Sequence, residues 1–576
     1  MASLLRLAPL LGFLGHAAAA VTDCASLRGH TFSNGTANVV LATDIPKGAN
    51  FSPSDGFSTQ TNNDLPGFCR VSLRIQTSLE TSATAEVWLP APETWNARLL
   101  TVGNGGFAGS VNYADLAWGL RKGFATTSTD TGHNSSSGDA SWMLHHPERT
   151  IDWAHRALHL TVVAAKQVVA AYYHPPPQTQ TEGQQLYYSY YAGCSTGGRQ
   201  GLAALQRYPA DFDGVLVGSA IPWQTHTSAW QTYAALLQYP ASRASFIPAE
   251  LWAGLVAPAV LAQCDAVLDG VADGVVMDPS RCAFRAEVLL CGRNGTGKAN
   301  NSTTTNATAS CLTQAQIHNL QRLYRPWLAP TDGLLLNPGL LPGGGEPSLA
   351  TLMNSPEPLF GPAFYRHAVY NDTAWDWRAL SAADIAAADA VNPGGANAYD
   401  PDLRPFEARG GKVLQYHGYA DALIPALNAV DWYDRVHEFY ANASAVGRAA
   451  AAGDVGGFYR LFMVPGMGHC SGGAGAWMVQ AKATCPSPRT PRRTPSSTPL
   501  VDWVEGAAAR TNNSTGLIKA VGTPESIIGT KFVNDTPTLG VSFTRPICRW
   551  PQTAVYDGVG DVNDAASWKC PTAGIY

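Results

Sequence analysis

One short stretch limits what this chain can fold into more than any other. Residues 187–198 read YYSYYAGCSTGG: an aromatic, strand-forming run ends in a glycine-bracketed serine, Ser195, and residues suited to a helix follow. Gly193 and Gly197 stand at the offsets of the G-x-S-x-G motif, in which the serine occupies a strained turn between a strand and a helix. The five-residue pattern alone is weak in a chain with 56 glycines. Its position between a strand and a helix makes Ser195 a candidate nucleophile.

Length and composition limit the class of protein. At 576 residues the chain exceeds one ordinary core, which predicts two domains or one domain with a large insertion. Hydrophobic residues make up 45% and charged residues 14%, as is typical of globular proteins. The net charge of −5 offers no basic surface, so we expect neither nucleic acid nor an anionic membrane as a partner.

The N-terminus has the pattern of an export signal. Arg6 precedes a mostly apolar run at 7–14, and three alanines at 18–20 offer a cleavage site. A buried first helix of the mature fold is the alternative interpretation. We expect no later segment to be long and apolar enough to span a bilayer, which predicts a soluble, secreted mature protein.

Secretion determines how the 11 cysteines are interpreted, because in an oxidising compartment cysteines form disulfides before they bind metals. The density of N-x-S/T sequons also fits a glycosylated extracellular protein. The sequons lie at Asn34, Asn50, Asn134, Asn294, Asn300, Asn301, Asn306, Asn371, Asn442, Asn512, Asn513 and Asn534.

Strand and helix patterns alternate along the chain, and a long apolar-periodic helix is predicted over 151–173. This alternation favours a mostly parallel sheet with helices on both faces. The predicted strands lie within 71–90 and at 98–102, 124–128, 214–217, 411–417 and 458–464.

Residues 223–400 break this alternation. They are rich in Ala, Pro and Trp and contain four cysteines, which predicts an inserted lid domain. We therefore expect a signal peptide at 1–20 and a catalytic domain formed by 21–222 and 401–576.

A glycine-rich loop, GNGGFAG at 103–109, follows one predicted strand. It lacks the Lys-Ser/Thr pair of a phosphate-binding P-loop. In hydrolases with a nucleophile elbow, a loop in this place donates backbone N–H groups to an oxyanion. We expect Gly105, Gly106 and Thr196 to form such an oxyanion hole, and a plain glycine turn is the alternative.

A serine hydroxyl needs a base to take its proton and a third group to orient that base. In elbow hydrolases the chain order is serine, acid, histidine. Asp421 and His469 each lie in a loop after a predicted strand, and they are the candidate acid and base. Asp431 and Asp434 are rival acids, but the predicted helix around them favours surface charge.

Two cysteines adjoin these candidates. Cys194 directly precedes Ser195, and Cys470 directly follows His469. A disulfide between them would place their Cα atoms about 4.4–6.8 Å apart and bring the serine and histidine loops together. Two unrelated structural cysteines are the alternative.

Three separated motifs together resemble the fungal tannase and feruloyl esterase family. They are GCSTGGRQG at 193–201, HGYAD at 417–421 and GMGHC at 466–470. The resemblance runs from the opening cysteines to Cys570. It implies an α/β-hydrolase fold with an inserted lid that helps form the substrate pocket, and a disulfide between the serine and histidine loops. It assigns Ser195 as nucleophile, Asp421 as orienting acid and His469 as general base.

The predicted lid contains a second motif, CDAVLDGVADGV at 264–275. Carboxylates interleaved with glycines suit Ca²⁺, a hard cation with oxygen ligands, and suit a solvated acidic turn equally well. The resemblance implies a structural Ca²⁺ here that holds the lid, and no organic cofactor. The implied ligands are the side chains of Asp265, Asp269 and Asp273 and the carbonyls of Val271 and Val275. Asp265 and Asp269 are four residues apart, one more than the family's usual spacing.

Neighbouring positions in the chain suggest the remaining disulfides. They are Cys24–Cys69, Cys264–Cys282, Cys291–Cys311 and Cys548–Cys570. Cys485 is left over in a loop at 485–499 that is rich in Pro, Ser, Thr and Arg. Arg492-Arg493 in that loop is a candidate processing site or ordinary solvated charge.

The resemblance implies a secreted serine esterase that acts on esters of plant phenolic acids, either small esters or feruloylated or galloylated plant polymers. The elbow sequence is more similar to feruloyl esterases than to tannases, so we expect hydroxycinnamate esters before galloyl esters. A non-catalytic wall-binding protein on a hydrolase fold is the alternative from another class. A protease is a third.

Overall fold

The structure is a computed structural model that describes residues 23–33, 35–53, 61–173, 187–292, 311–343, 345–353, 358–445, 454–479, 499–512 and 525–571. The expected signal peptide, Cys485 and Arg492-Arg493 lie outside these ranges.

In chain order, the strands are β1 (Ala37–Ile45), β2 (Phe68–Gln76), β3 (Ser82–Pro90), β4 (Arg98–Val102), β5 (Ala125–Thr129), β6 (Tyr188–Cys194), β7 (Gly214–Gly218), β8 (Trp327–Leu328), β9 (Leu335–Asn337), β10 (Lys412–Gly418), β11 (Tyr459–Val464), β12 (Met478–Val479), β13 (Ser526–Phe532), β14 (Val541–Cys548), β15 (Val555–Tyr556) and β16 (Trp568–Lys569).

The α-helices are α1 (Tyr113–Arg121), α2 (Pro147–Ile151), α3 (Ala157–Tyr173), α4 (Thr196–Arg207), α5 (Gln224–Gln238), α6 (Ala249–Leu251), α7 (Ala257–Asp269), α8 (Gln314–Leu323), α9 (Glu346–Met353), α10 (Gly361–Phe364), α11 (Ala382–Val391), α12 (Arg404–Ala408), α13 (Leu427–Ala445) and α14 (Pro499–Asn512).

The centre of the fold is a nine-stranded sheet with the order β1-β2-β3-β5-β4-β6-β7-β10-β11. The strands from β5 to β11 in this order pair in parallel, as predicted. At the other edge, β1, β2, β3 and β5 pair antiparallel. The short link between β2 and β3 explains part of this difference, because a parallel pair needs a long crossover.

Helices cover both faces of the sheet. On one face, α3, α4 and α13 pack in a core that includes Val162, Leu202 and Trp432. On the other face, α1 and α14 contribute to a core that includes Leu116 and Val504. Strands β5, β7 and β11 are buried at every residue, as expected for strands covered on both sides.

The parallel register brings three loops to one edge of the sheet. Cys194 at the end of β6 pairs with Gly218 of β7, Tyr416 of β10 pairs with the same Gly218, and Gly418 pairs with Val464 at the end of β11. The loops that contain Ser195, Asp421 and His469 therefore leave the sheet together.

The chain between the neighbouring strands β7 and β10 adds no strand to this sheet in its described part. It forms α5 to α12 and the β8–β9 pair, and it has a core of its own that includes Trp230, Trp252 and Leu320. The proposed domain limits at 222 and 401 stay a prediction.

One helix differs from expectation. α6, a π-turn at Trp252–Val256 and α7 form one continuous helix, Ala249–Asp269, in which an 18-residue stretch has a mean hydropathy of 1.6. By length and composition it is apolar enough to span a bilayer, so the expectation of no such segment was wrong on those criteria. From the sequence, Pro258 predicts that a helix would be interrupted here. Proline is nevertheless tolerated at the start of a helical segment such as α7. Trp252 and Val260 on this helix are buried in the core of the inserted segment.

Five disulfides join the cysteines in the pairs that the sequence suggested. Besides Cys194–Cys470 they are Cys24–Cys69, Cys264–Cys282, Cys291–Cys311 and Cys548–Cys570.

Candidate active site

Strand β6 ends in a sharp turn that contains Ser195. This serine has φ 63° and ψ −125°, and α4 begins at the next residue. Its backbone N–H donates to the carbonyl of Gly218 at 3.0 Å. A Cβ at Gly193 would lie 2.6 Å from the carbonyl oxygen of Gly197, and a Cβ at Gly198 would lie 2.7 Å from that of Gly218. Glycine is required because backbone passes at contact distance on both sides of the turn.

Asp421 and His469 face each other beyond the ends of β10 and β11. His469 Nδ1 lies 2.8 Å from Asp421 Oδ2. The other carboxylate oxygen, Oδ1, accepts the backbone N–H groups of Leu423 at 3.0 Å and Ile424 at 2.9 Å. Because Nδ1–H is donated to the acid, Nε2 is left as the basic nitrogen of His469. The pair has the geometry of an acid that orients a base.

Asp421 is buried and ionised. Burial by itself would raise the pKa of its carboxyl, but the charge of His469 and hydrogen bonds from His417 and His469 outweigh burial and hold this pKa well below its ordinary value. The resulting stabilisation is present above the ordinary aspartate pKa of about 4 and is lost only as the pH falls below it. The acid therefore stays charged throughout the neutral range.

A disulfide joins the serine loop to the histidine loop. The Cα atoms of Cys194 and Cys470 are 5.9 Å apart. The backbone N–H of Cys470 also donates to Ser219 Oγ at 3.4 Å. Ser195 and His469 line one cavity, although the described part of the chain shows no direct hydrogen bond between Oγ and the imidazole. Such bonds are often long before substrate binds.

The shared cavity has a volume of about 350 Å³, within the range of small-molecule sites. Its apolar lining comes from Phe107, Ile221, Phe360, Leu423 and Ile424. Polar side chains other than those of the candidate triad are contributed by Asn104, Asn112, Asp115, Ser137, Gln224 and Gln231. The inserted segment supplies several of these residues and so forms part of the wall.

The glycine-rich loop borders the same cavity. Gly105, Gly106 and Thr196 all line it together with Ser195. A Cβ at Gly105 would meet no heavy atom within 4 Å, so the peptide there faces open space. Gly106 has φ +54°, a conformation that favours glycine. The three residues expected in the oxyanion hole are therefore brought to one cavity with the nucleophile.

Side chains that the sequence analysis did not single out hold this loop in place. The carbonyl of Phe107 accepts three hydrogen bonds, from His133 Nε2 at 2.9 Å, Ser135 Oγ at 2.7 Å and Trp142 Nε1 at 3.2 Å. Trp153 Nε1 donates to the carbonyl of Gly106 at 3.1 Å. Burial lowers the pKa of His133 to about 4, so its imidazole is neutral near pH 7. A loop after β5 and two helical segments thus fix the loop after β4.

The acidic motif forms the end of α7 and the turn after it. Each of its three carboxylates accepts one backbone N–H: Gly274 donates to Asp265 Oδ2 at 2.9 Å, Val271 to Asp269 Oδ1 at 2.9 Å and Val275 to Asp273 Oδ1 at 3.0 Å. The second oxygens of Asp265 and Asp269 are buried and have no hydrogen-bond partner. That of Asp273 is bound by Arg545 Nη2 at 2.6 Å.

Two of these three carboxylates fit a cation. Burial raises the pKa of Asp265, and it raises the pKa of Asp269 to about 6. A bound cation would satisfy both unpartnered oxygens and reverse that effect. Asp273 fits less well because Arg545 already neutralises it. Within the described ranges, no three Asp, Glu, His or Cys side chains are grouped closely enough to hold a metal by themselves.

Comparison with known proteins gives matches over nearly the whole chain. The family described as tannase and feruloyl esterase matches residues 69–357 and 385–571. A probable feruloyl esterase B-2 of Aspergillus oryzae is 34% identical over 580 residues, 99% of this chain and 100% of that protein.

Two solved structures are also similar. An esterase from Aspergillus oryzae has a TM-score of 0.78 and 31% identity, covering 95% of this chain and 99% of that chain. Feruloyl esterase B from Aspergillus oryzae has a TM-score of 0.77 and 30% identity with the same coverage. These matches confirm the predicted α/β-hydrolase fold.

Proposed function

Because the chain belongs to the tannase and feruloyl esterase family, we propose that it is a secreted serine esterase that hydrolyses esters of plant hydroxycinnamic acids. The observation that carries the proposal is the placement of Ser195 in one cavity with the His469–Asp421 pair. A nucleophile, a base and an orienting acid in this chain order form the machinery of acyl transfer. The Cys194–Cys470 disulfide supports the proposal because it holds the two loops at a set separation.

The reaction has two halves. In the first, Ser195 Oγ attacks the ester carbonyl carbon while His469 Nε2 takes the hydroxyl proton, and Asp421 stabilises the imidazolium. His469 then gives this proton to the departing alcohol oxygen, and the acyl group remains on Ser195. In the second half, His469 takes a proton from water, the hydroxyl attacks the acyl-enzyme, and the free acid leaves with Ser195 restored.

The oxyanion formed in each half needs donors that are in place beforehand. We assign this role to the backbone N–H groups of Thr196, Gly105 and Gly106. Thr196 is the first residue of α4, where an N–H has no partner within the helix and the helix dipole favours negative charge.

The cavity lining suits a phenylpropenoid acid. Ile221, Phe360 and Leu423 offer apolar contacts to a planar ring and its propenoyl link, and Gln224 and Gln231 offer hydrogen bonds to ring substituents. A galloyl ring carries three hydroxyls, for which the lining also offers polar side chains. Galloyl esters are the second candidate because the elbow sequence is more similar to feruloyl esterases than to tannases.

The proposal is tested with methyl ferulate, methyl p-coumarate and methyl gallate as substrates. We expect turnover of the two hydroxycinnamates, and a loss of ~10⁴-fold or more in kcat for Ser195→Ala. Equal turnover by the parent and by Ser195→Ala would exclude this triad. Activity on gallate alone would assign the protein to tannase activity, and no turnover of any ester would favour the non-catalytic alternative.

Export is supported by the five disulfides, which persist in oxidising compartments. The sequon density and the N-terminal sequence pattern also support export. The mass and N-terminal sequence of protein collected from culture medium test this part, and a chain retained in cells with residues 1–20 intact would contradict it.

We also propose a structural Ca²⁺ held by Asp265 and Asp269 with the carbonyls of Val271 and Val275, and with Asp273 shared with Arg545. When bound, the cation supplies the positive charge that neutralises two partly buried carboxylates. We expect chelation by EDTA to lower Tm, added Ca²⁺ to restore it, and Asp269→Asn to abolish this response.

Asp332→Asn is the matched control for the calcium test. Asp332 accepts the N–H of Leu334 in a turn of the same kind, but it is exposed. Its variant should respond to EDTA as the parent does. A parent Tm that is insensitive to EDTA would argue for the solvated acidic turn.

A further inference from the structure

His417 has no role in the reaction proposed above, and it lies next to Asp421. It belongs to β10, its relative exposure is 0%, and it precedes Asp421 by four residues. Its Nε2 lies 3.3 Å from Asp421 Oδ2 and 3.0 Å from the carbonyl oxygen of Ile424. Both neighbours are acceptors, so Nε2 must carry a proton.

The second ring nitrogen of His417 is not paired in the described part of the chain. Nδ1 is buried and has no hydrogen-bond partner among the described residues. The donor that this ring offers to its neighbours is therefore Nε2–H, which lies between Asp421 and Ile424.

We propose that His417 is a positioning residue that holds Asp421 in line with the catalytic base. Its Nε2, whose N–H donates to the carbonyl oxygen of Ile424 at 3.0 Å, also lies 3.3 Å from Oδ2, the carboxylate oxygen that receives Nδ1–H of His469 at 2.8 Å. Leu423 and Ile424 bind only Oδ1 through their backbone N–H groups. The donor from His417 fixes the opposite end of the carboxylate and so sets the plane in which His469 is held.

This role has a chemical consequence during turnover. A donor on Oδ2 disperses the charge of Asp421 and lowers its affinity for a proton. The proton on His469 Nδ1 therefore stays on the imidazolium instead of passing to the acid, as the proposed mechanism requires.

The bond to the Ile424 carbonyl gives His417 a structural role, but its Nδ1 is buried without a partner among the residues that the structure describes, a cost that an apolar ring would avoid. His226 provides the comparison, because it is also buried and bonded to a carboxylate, with Nε2 2.8 Å from Asp389 Oδ2 and Nδ1 2.8 Å from the carbonyl oxygen of Leu336. Both of its nitrogens are paired, as in an ordinary structural histidine.

The test compares His417→Phe with His417→Gln. Phenylalanine keeps a ring and removes the donor, whereas the glutamine amide nitrogen is three bonds from Cβ, as imidazole Nε2 is. Loss of the N–H donor beside the Asp421 carboxylate predicts a kcat lower by about 10- to 100-fold in His417→Phe, with KM little changed. His417→Gln should recover most of that loss. His226→Phe is the matched control and should lower Tm but leave kcat near that of the parent.

Phosphonylation of Ser195 by a fluorophosphonate gives a second readout, because it requires an activated serine but no particular ester. This inference rests on the proposed triad. The phosphonylation rate therefore distinguishes a failure of the inference from a wrong choice of ester substrate. If His417→Phe does not fold, His417→Asn replaces it, since the shorter amide cannot reach Asp421. An unchanged kcat and phosphonylation rate without the donor, or equal losses in the Gln and Phe variants, would overturn the proposal.

Discussion

Gly198 illustrates, at the scale of single residues, how closely the backbone is packed next to Ser195. It lies in the first turn of α4, and a Cβ there would meet the carbonyl oxygen of Gly218 at 2.7 Å and the Cα of Ala220 at 2.8 Å. Both are main-chain atoms of β7 and its exit, which cannot move without moving the sheet. Glycine at position 198, directly after the elbow motif, is thus required by contacts with a neighbouring strand.

We expect Gly198→Ala to lower the free energy of unfolding by about 1–3 kcal/mol, because it overpacks a rigid site. It should also lower kcat, since α4 moves relative to Ser195. Gly254→Ala is the matched control: Gly254 is helical and a Cβ there meets nothing within 4 Å. That change should raise stability by about 0.5–1 kcal/mol. Urea unfolding and ester turnover measure both, and a Gly198→Ala protein as stable and active as the parent would contradict the packing argument.

At the scale of elements, the loop after β4 depends on segments that are distant in sequence. Its Phe107 carbonyl is bound by three side chains from residues 133–142, and its Gly106 carbonyl by Trp153. A glycine-rich loop is mobile unless its backbone is held, because glycine restricts it least. The anchors hold the backbone of Gly105 and Gly106 in place, as the proposed oxyanion hole requires.

His133 makes the stability of this region depend on pH. Burial lowers its pKa from 6.5 to about 4, so the unfolded chain binds a proton in that range while the folded chain does not. The free energy of unfolding should therefore fall as the pH drops from 6.5 towards 4, by up to about 3 kcal/mol from this group.

His133→Gln keeps an amide donor that does not titrate, and its stability should fall less over the same range. Denaturant titrations at pH 4.5 and pH 7 measure the difference between the two proteins. His145→Gln, a change at an exposed histidine, is the control and should follow the parent. Identical pH dependence in the parent and in His133→Gln would exclude this role for burial.

At the scale of the whole molecule, the candidate active site forms because parallel strands bring distant loops to one edge of the sheet. Ser195 follows β6, and the Asp421 and His469 loops follow β10 and β11, with the whole inserted segment between β7 and β10. The Cys194–Cys470 bond, with a sequence separation of 276, closes this assembly across the insertion.

Replacing both Cys194 and Cys470 with alanine should cost stability and activity together. The chain-entropy relation predicts about 6 kcal/mol for a loop of this length. kcat should also fall, because the serine and histidine loops lose their fixed separation. The matched control, Cys291→Ala with Cys311→Ala, opens a loop with a separation of only 20 and lies outside the site.

For this control pair we expect a loss of about 3 kcal/mol with kcat retained. Calorimetry measures the stability of the two double variants, and single-substrate kinetics measures their kcat. Full kcat without Cys194–Cys470 would show that the sheet alone positions the loops.

The amino-acid sequence by itself determined the features whose causes are local. The elbow around Ser195 is specified within about a dozen residues, because a strand, a turn that only small neighbours permit and a helix all leave direct patterns. Chain order and adjacent cysteines then pointed to Asp421 and His469, and the structure places both in the expected relation. Only the tertiary structure decided which side chains meet from distant positions: His417 behind the acid, Trp153 on the oxyanion loop, and Arg545 on Asp273. No pattern along the chain encodes such contacts, because they depend on how packed elements align and not on what precedes or follows each residue.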